Sequence, residues 1–348
     1  MHGTNPAGII RYAVDNGINY IYPGYSYEAG RREKTLKLLR SALTGGYRKK
    51  VKIAVTVPVR LIKSAADFDR LLQEQLDWLG ENTADLCVLG CLDRYSWPAI
   101  NEMGIISRLD KALDEGLVRH QGFYFHDYFQ TLRTIIGEYD RWSFCCIRYS
   151  YMDVDHHPGY GGVKYAAEKG LGVIATGPHL GGRLTARMPE SVEEVWEDSE
   201  NTGISRTEWP LKWVWNHSET ASAVSNMSSL EEVKENIRFA DNGEGKNLTI
   251  SQQIFISTVR DAYRKLKPVP CTACRACMPC DQGIDVPWIF ELYNDAVMFD
   301  DVETARVLYG KEDHHIENCN ECGDCVRRCG KQIPIPDRLK EIAKTLAA

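Results

Sequence analysis

The sequence predicts an α/β protein, with a (β/α)8-type barrel of parallel strands over residues 1–245 and a helical linker with a small cysteine-rich helical domain over 246–348. Three observations predict it. Strand and helix patterns alternate between residue 6 and about 240, which calls for parallel strands joined by crossover helices. Asp241-Asn242-Gly243-Glu244-Gly245-Lys246-Asn247 and Lys267-Pro268-Val269-Pro270 then punctuate the chain as a hinge and a boundary. Beyond them, eight of the 12 cysteines fall into two tight runs.

The elements follow in order. Ile9 to Asn16 reads as a helix stopped by Gly17, and Ile18 to Tyr22 as a buried strand. A helix over 33–43 precedes the strand Val51 to Val57, and the amphipathic stretch Phe68 to Leu79 precedes Asp85 to Leu89. A helix ending near Gly116 leads to Val118 to Phe125, one over 128–138 to Phe144 to Tyr149, and one over 162–169 to Leu171 to Ala175. A helix holding Trp209, Trp213 and Trp215 precedes the last strand, Ala221 to Ser225, and a helix over 229–240. Seven strands in this length suit a barrel better than an open doubly wound sheet. Helices are expected again over 250–265, Trp288 to Val297 and Asp301 to Leu308.

Composition narrows the function. With 348 residues and 43% hydrophobic side chains, the chain can bury a large core. A net charge of −6 and scattered basic residues exclude a nucleic-acid footprint, and Arg48-Lys49-Lys50 reads as a solvated loop. No apolar run approaches the roughly 18 residues that span a bilayer, and the first residues lack a secretory pattern, so a cytoplasmic protein is expected.

The cysteine runs carry the chemistry. Cys271, Cys274, Cys277 and Cys280 are evenly spaced, and Cys319, Cys322 and Cys325 repeat that clasp with Cys329 four residues on. Four thiols in ten residues make no relaxed disulfide framework, whereas thiolates at this spacing wrap one face of a [4Fe-4S] cluster. By the fourth-ligand exchange of two-cluster ferredoxins, Cys271, Cys274, Cys277 and Cys329 would hold one cluster, and Cys319, Cys322, Cys325 and Cys280 the other. Structural zinc is the competing reading, but it usually takes two cysteine pairs split by a longer spacer. Asp281 and Gly330 stand where ferredoxin motifs carry proline. Glu321 and Asp324 either lower the potential of the second cluster or are solvated loop residues. Oxygen-sensitive clusters imply an anaerobic host.

Ile18-Asn19-Tyr20, Tyr149-Ser150-Tyr151-Met152-Asp153, Leu171-Gly172-Val173-Ile174, Gly181-Gly182-Arg183-Leu184, Ser225-Asn226-Met227-Ser228 and the cysteine tail carry a resemblance over nearly the whole chain. The chain resembles the aldo/keto reductase proteins that bear a C-terminal helical domain with two ferredoxin-type clusters. The resemblance implies a barrel whose strand ends hold NADPH beside a Tyr-Asp-Lys-His group. Carried over residue by residue, the tyrosine stands as Tyr25, the implied catalytic proton donor. The aspartate is Tyr22, the lysine Thr56 and the histidine Gly90. Of the cofactor contacts, Tyr124 and Cys146 replace a small polar residue and an amide, and Glu232 stands where a base meets the 2′-phosphate. Glu235 and Asn236 alone match, as cofactor-binding residues at the adenine end. The family's first strand has no counterpart, so another segment, a partner or an upstream start would have to cover the open edge.

Tyr22, Tyr25, Tyr27, Tyr124, Tyr149 and Tyr151 would enrich the barrel mouth in phenols, filling vacated cofactor space or stacking on a planar ligand. Asp127 reads as a helix N-cap beside His126. Asp155-His156-His157 and Asp313-His314-His315 read as surface residues. Cys87, Cys91, Cys145 and Cys146 read as small apolar residues, with one of the last two inside the barrel.

The reading is an iron–sulfur electron-transfer oxidoreductase component with two [4Fe-4S] clusters and a redox protein partner, whose barrel has lost NADPH hydride chemistry. Its alternatives are an active reductase using Tyr25 and a second cofactor, a flavin being conceivable but unsupported by any motif, and an NADPH-dependent carbonyl reductase.

Overall fold

Short segments rich in Val, Ile, Phe and Ala line up as seven parallel strands in the computed structural model, which describes residues 5–155, 157–185, 188–197, 203–243, 247–311 and 315–346. They are β1 (Tyr20–Ile21), β2 (Lys52–Pro58), β3 (Ala84–Leu92), β4 (Val118–Phe125), β5 (Phe144–Arg148), β6 (Gly172–Thr176) and β7 (Thr220–Val224), hydrogen-bonded in that sequential order. Together they form a curled half-barrel. After Lys52 every residue of β2 is buried, as a parallel sheet covered on both faces requires. Gly122 of β4 lies opposite Phe144 of β5, where a Cβ would stand 2.5 Å from the Phe144 carbonyl oxygen, so only glycine lets the strands approach.

The strand layer is open and the helical layer is not. Among the described residues β7 does not pair with β1. Outside them, Ile9 and Ala13 of the first helix, Pro6–Asp15, pack with Val233, Leu230 and Ile237 of the last barrel helix, Leu230–Gly243. Asn5 starts the first helix by accepting the Gly8 N–H at 2.9 Å.

Two compact units result, Met1–Gly182 with Thr207–Thr249, and Arg183–Arg206 with Ile250–Ala348. The segment 183–206, which the sequence reading counts with the barrel, belongs by its contacts to the second unit. There Trp196 of the helix Glu190–Glu197 meets Phe255 of the helix Ile250–Lys265 at 5.3 Å between ring centroids. The hinge expected at 241–247 starts late, because the barrel helix runs through Asp241 to Gly243, and 244–246 lie outside the described residues. In the second unit the helices Val286–Met298, Val302–Tyr309 and Ile335–Leu346 enclose a core around Ile289, Phe290, Leu339 and Ile342.

Three expectations need correction. Arg48 is not free loop surface, because its guanidinium reaches Glu81 at 2.8 Å and the buried Asp85 at 2.7 Å. His157 is buried and stacks on His126 at 5.1 Å, while His156, Asp313 and His314 lie outside the described residues. Asp127 is not the helix N-cap, a position that Tyr128 takes. The Asp127 carboxylate instead accepts from the Arg94 guanidinium, from the Arg94 N–H at 2.9 Å and from the Tyr128 N–H at 2.8 Å. Burial alone would raise its pKa, but these donors outweigh burial and hold it below the usual carboxylate range.

A carboxyl depressed on folding adds stability above its unfolded value, and that stability is lost as the pH falls through the folded value. Asp127→Asn is therefore expected to lower unfolding stability by about 2 kcal/mol at pH 7. The gap to the wild type closes on acidification, as measured by urea unfolding across that range.

Candidate metal centre

The two cysteine runs fold as the same local structure used twice. A Cys-x-x-Cys loop that turns its thiols inward needs left-handed backbone between them. Ala273 and Arg275 supply it in the first run with φ of 54° and 60°, and Glu321 and Gly323 in the second with 56° and 77°. Each fourth cysteine then opens an identical turn. The Gly283 N–H donates to the Cys280 carbonyl at 2.9 Å and the Gln332 N–H to the Cys329 carbonyl at 2.9 Å, both from positive φ. Buried Ile284 and Ile333 follow, and then the helices Val286–Met298 and Ile335–Leu346, each with proline at its second position. This repeat is legible in Cys280-Asp281-Gln282-Gly283-Ile284 against Cys329-Gly330-Lys331-Gln332-Ile333, but the sequence reading stopped at the cysteines.

Polar side chains hold the first run in place. Arg275, between Cys274 and Cys277, pairs bidentately with Asp285 at 3.0 and 2.9 Å, and Asp285 also caps the following helix by accepting the Trp288 N–H. Asn294 takes the Val269 N–H at 3.0 Å and gives to its carbonyl at 2.9 Å, which ties the entry to the first run onto the core. The second run has a looser surround, with Glu321 held by Lys340 at an exposed 2.7 Å contact.

Packing brings the thiols of one run to the other. Cys277 and Cys280 share with Cys319, Cys322 and Cys325 the walls of a recess of about 450 Å³, partly open to solvent. Conversely, Cys274 and Cys329 both act electrostatically on Cys271. Burial pushes the Cys271 thiol up, and takes Cys277 up to about 11. The Ala273 N–H points at the Cys271 sulfur, 3.3 Å away. Cys277 and Cys280 thus both border the second run, and Cys329 lies near the first. Thiols set back around a recess fit a multi-iron cluster, which Cys280 with Cys319, Cys322 and Cys325 would hold there, and Cys271, Cys274, Cys277 and Cys329 in the other lobe.

The barrel interior is a different environment. Tyr20, Tyr22, Leu86, Tyr124 and Val224 pack on Ala54, Val88, Phe144, Cys146 and Ile174. The Thr56 hydroxyl lies 3.3 Å from that of Tyr22, and the Thr176 hydroxyl 3.5 Å from that of Tyr124. Burial raises both phenols, so the group is neutral throughout the physiological range. Tyr22 and Thr56 are therefore brought together, but Tyr25 is not part of that cluster. Its ring meets Tyr27 edge-on at 5.3 Å, and Arg32 donates to its hydroxyl at 3.1 Å while also binding the Ser26 and Tyr27 carbonyls. Burial pushes Tyr25 up to about 12, with Arg32 opposing the shift. Tyr149 is buried against Trp213 at 4.8 Å and His217 at 5.4 Å, so it too is outside the interior cluster. Cys146 faces the interior, and Cys145 is buried but absent from that cluster.

Beyond β6 and β7, Asn236 donates to the Ser225 hydroxyl at 3.3 Å, and His179 approaches the same hydroxyl at 3.5 Å. Burial lowers the His179 pKa, with the Thr207 carbonyl and Glu232 opposing. Sequence reasoning missed His179, which no motif marks. Glu235 is exposed on the same helix. Glu232 folds back to accept the Ser228 N–H at 2.6 Å and its hydroxyl at 3.0 Å, and its own N–H meets the Ser229 hydroxyl. The start of the last barrel helix thus closes on its own carboxylate, as in a capping box.

Two family models match the chain. The aldo/keto reductase family model matches residues 5–244, and the 4Fe-4S dicluster domain model matches residues 270–334. Among curated proteins none matches the chain. Solved structures with the same fold include an aldo-keto reductase from Bacillus halodurans in its holo form, 19% identical over 73% of this chain and 85% of that one, with a TM-score of 0.56. An aldo/keto reductase from Klebsiella pneumoniae, solved with NADP and acetate, is 18% identical over 73% of this chain and 84% of that one, also at 0.56. The chain belongs to the aldo/keto reductase family and joins to that fold a C-terminal 4Fe-4S dicluster domain.

Proposed function

We propose that this iron–sulfur oxidoreductase is an electron-transfer component whose barrel no longer carries out NADPH-dependent hydride transfer. One observation carries the reading. Cys277 and Cys280 of the first run line one recess with Cys319, Cys322 and Cys325 of the second, and Cys329 acts on Cys271, which supports ligands shared between the runs, while Tyr22 and Thr56 leave the barrel interior with neutral groups. When bound, two [4Fe-4S] clusters supply one-electron chemistry. The chain contributes eight thiols, the inward N–H of Ala273 and the clamps on the first run. Cys274 and Cys322 are exposed, leaving an edge of each run open toward a redox protein partner.

Hydride reduction needs a proton donor matched to the working pH, worth about 3–5 kcal/mol of barrier. A phenol raised to about 12 and held by Arg32 is a poor one, and Tyr22, Thr56 and Gly90 supply no replacement. Glu232 adds a carboxylate where a 2′-phosphate would approach. The second reading, an active reductase, draws on the Klebsiella pneumoniae protein solved with NADP and on Asn236 beside Ser225. There Tyr25 would donate the proton.

Anaerobic purification and reconstitution should return about eight irons and as many acid-labile sulfides per chain. Cys280→Ala should lose iron, while Cys91→Ala keeps it all; zinc in place of iron, or fewer than about six irons in the wild type, would defeat the reading. Titration followed by cofactor fluorescence should show no saturable NADPH binding below about 1 mM. A dissociation constant under about 10 µM, with carbonyl reduction abolished by Tyr25→Phe, would favour the reductase instead.

A further inference from the structure

The two cysteine runs differ at one point. Three residues separate Cys325 from Cys329, where two separate Cys277 from Cys280. The longer spacing accommodates a single helical turn, Asp324–Arg328, whose last residue directly precedes Cys329. That residue reaches across to the other run. Arg328 donates from Nη1 to the Met278 carbonyl and from Nη2 to the Pro279 carbonyl, both at 2.9 Å. Its Nε lies 3.4 Å from the Asp324 carbonyl, within its own turn, and the side chain also borders the recess around Cys280 and Cys319. Arg327, its neighbour, serves the second run instead, pairing with Asp324.

The carbonyls it grips belong to the residues immediately before Cys280. Pro279 has no N–H, so the backbone there cannot be anchored through that donor. The planar guanidinium fork supplies two parallel hydrogen bonds, which a lysine ammonium cannot reproduce at once. One side chain thereby joins the segment that ends in Cys329 to the segment that ends in Cys280, the two cysteines that the two-cluster reading gives to the opposite run.

We propose that Arg328 is a positioning residue for both clusters, holding the two exchanged cysteines across from the runs they complete. The inference rests on the two-cluster reading and assigns to Arg328 what that reading leaves open, the means by which the exchange is kept. Removing the clamp frees Cys280 to swing from the second cluster and Cys329 from the first, so each cluster loses its hold on one iron corner.

The test compares wild type, Arg328→Ala and Arg328→Lys as full chains reconstituted anaerobically. Iron and sulfide content, paramagnetic resonance spectra and the rate of iron loss to a chelator are read, with thermal unfolding of the iron-free chains alongside. Arg328→Ala should lose iron about tenfold or more faster, in line with the effect of groups that orient metal ligands. Its spectra should show three-iron forms, Arg328→Lys should restore part of the retention, and the iron-free chains should unfold alike. Wild-type iron content, spectra and chelator rate in Arg328→Ala would overturn the inference while leaving the two-cluster reading intact. So would a loss of iron matched by equal destabilisation of the iron-free chain. A wild type that fails to take up iron would sink both.

Discussion

Thiol delivery governs the C-terminal unit. Eight cysteines come from two runs with 38 residues between them, and Cys277 and Cys280 of the first run line one recess with Cys319, Cys322 and Cys325 of the second. That arrangement forces the chain between the runs to leave and return, which the helices Val286–Met298 and Val302–Tyr309 accomplish around a shared apolar core. It also forces left-handed backbone at Ala273, Arg275 and Glu321, where only Gly323 is a glycine. Such strain persists when its surroundings over-determine it, and the Arg275–Asp285 pair and the Asn294 bridge do so for the first run.

The barrel answers to a different constraint. A parallel sheet buried on both faces favours apolar strands, and charged groups at its centre survive only when paired or solvated. Here Tyr22 and Tyr124 pack with Cys146 on an apolar cluster, and the Thr56 hydroxyl meets that of Tyr22. At the last barrel helix Glu232 accepts the Ser228 N–H, and its own N–H meets the Ser229 hydroxyl.

Much of this was legible in the sequence, for reasons that differ by element. Strands such as Val118–Phe125 stood out because a buried parallel strand is a short apolar run bounded by turn residues. The first strand was less distinct: Tyr20–Ile21 is two residues where five were expected, with only Tyr20–Lys52 and Ile21–Ile53 in register with β2. Arg48, Asp127 and His157 were misread because their partners, Asp85, Arg94 and His126, are distant in sequence or fall in separate loops. Tyr25 kept its place in a motif while its hydroxyl was engaged by Arg32, which motif spacing does not reveal.

Sequence by itself determined the parallel α/β class and the double cysteine clasp. These depend on residue identity and short-range spacing, which the chain carries at every point. Tertiary structure decided which thiols share a recess, that 183–206 packs with the cysteine-bearing unit, and that Arg328 spans from one run to the other. Those outcomes depend on contacts between residues tens of positions apart, and such contacts exist only once the intervening helices have packed and fixed the direction of return.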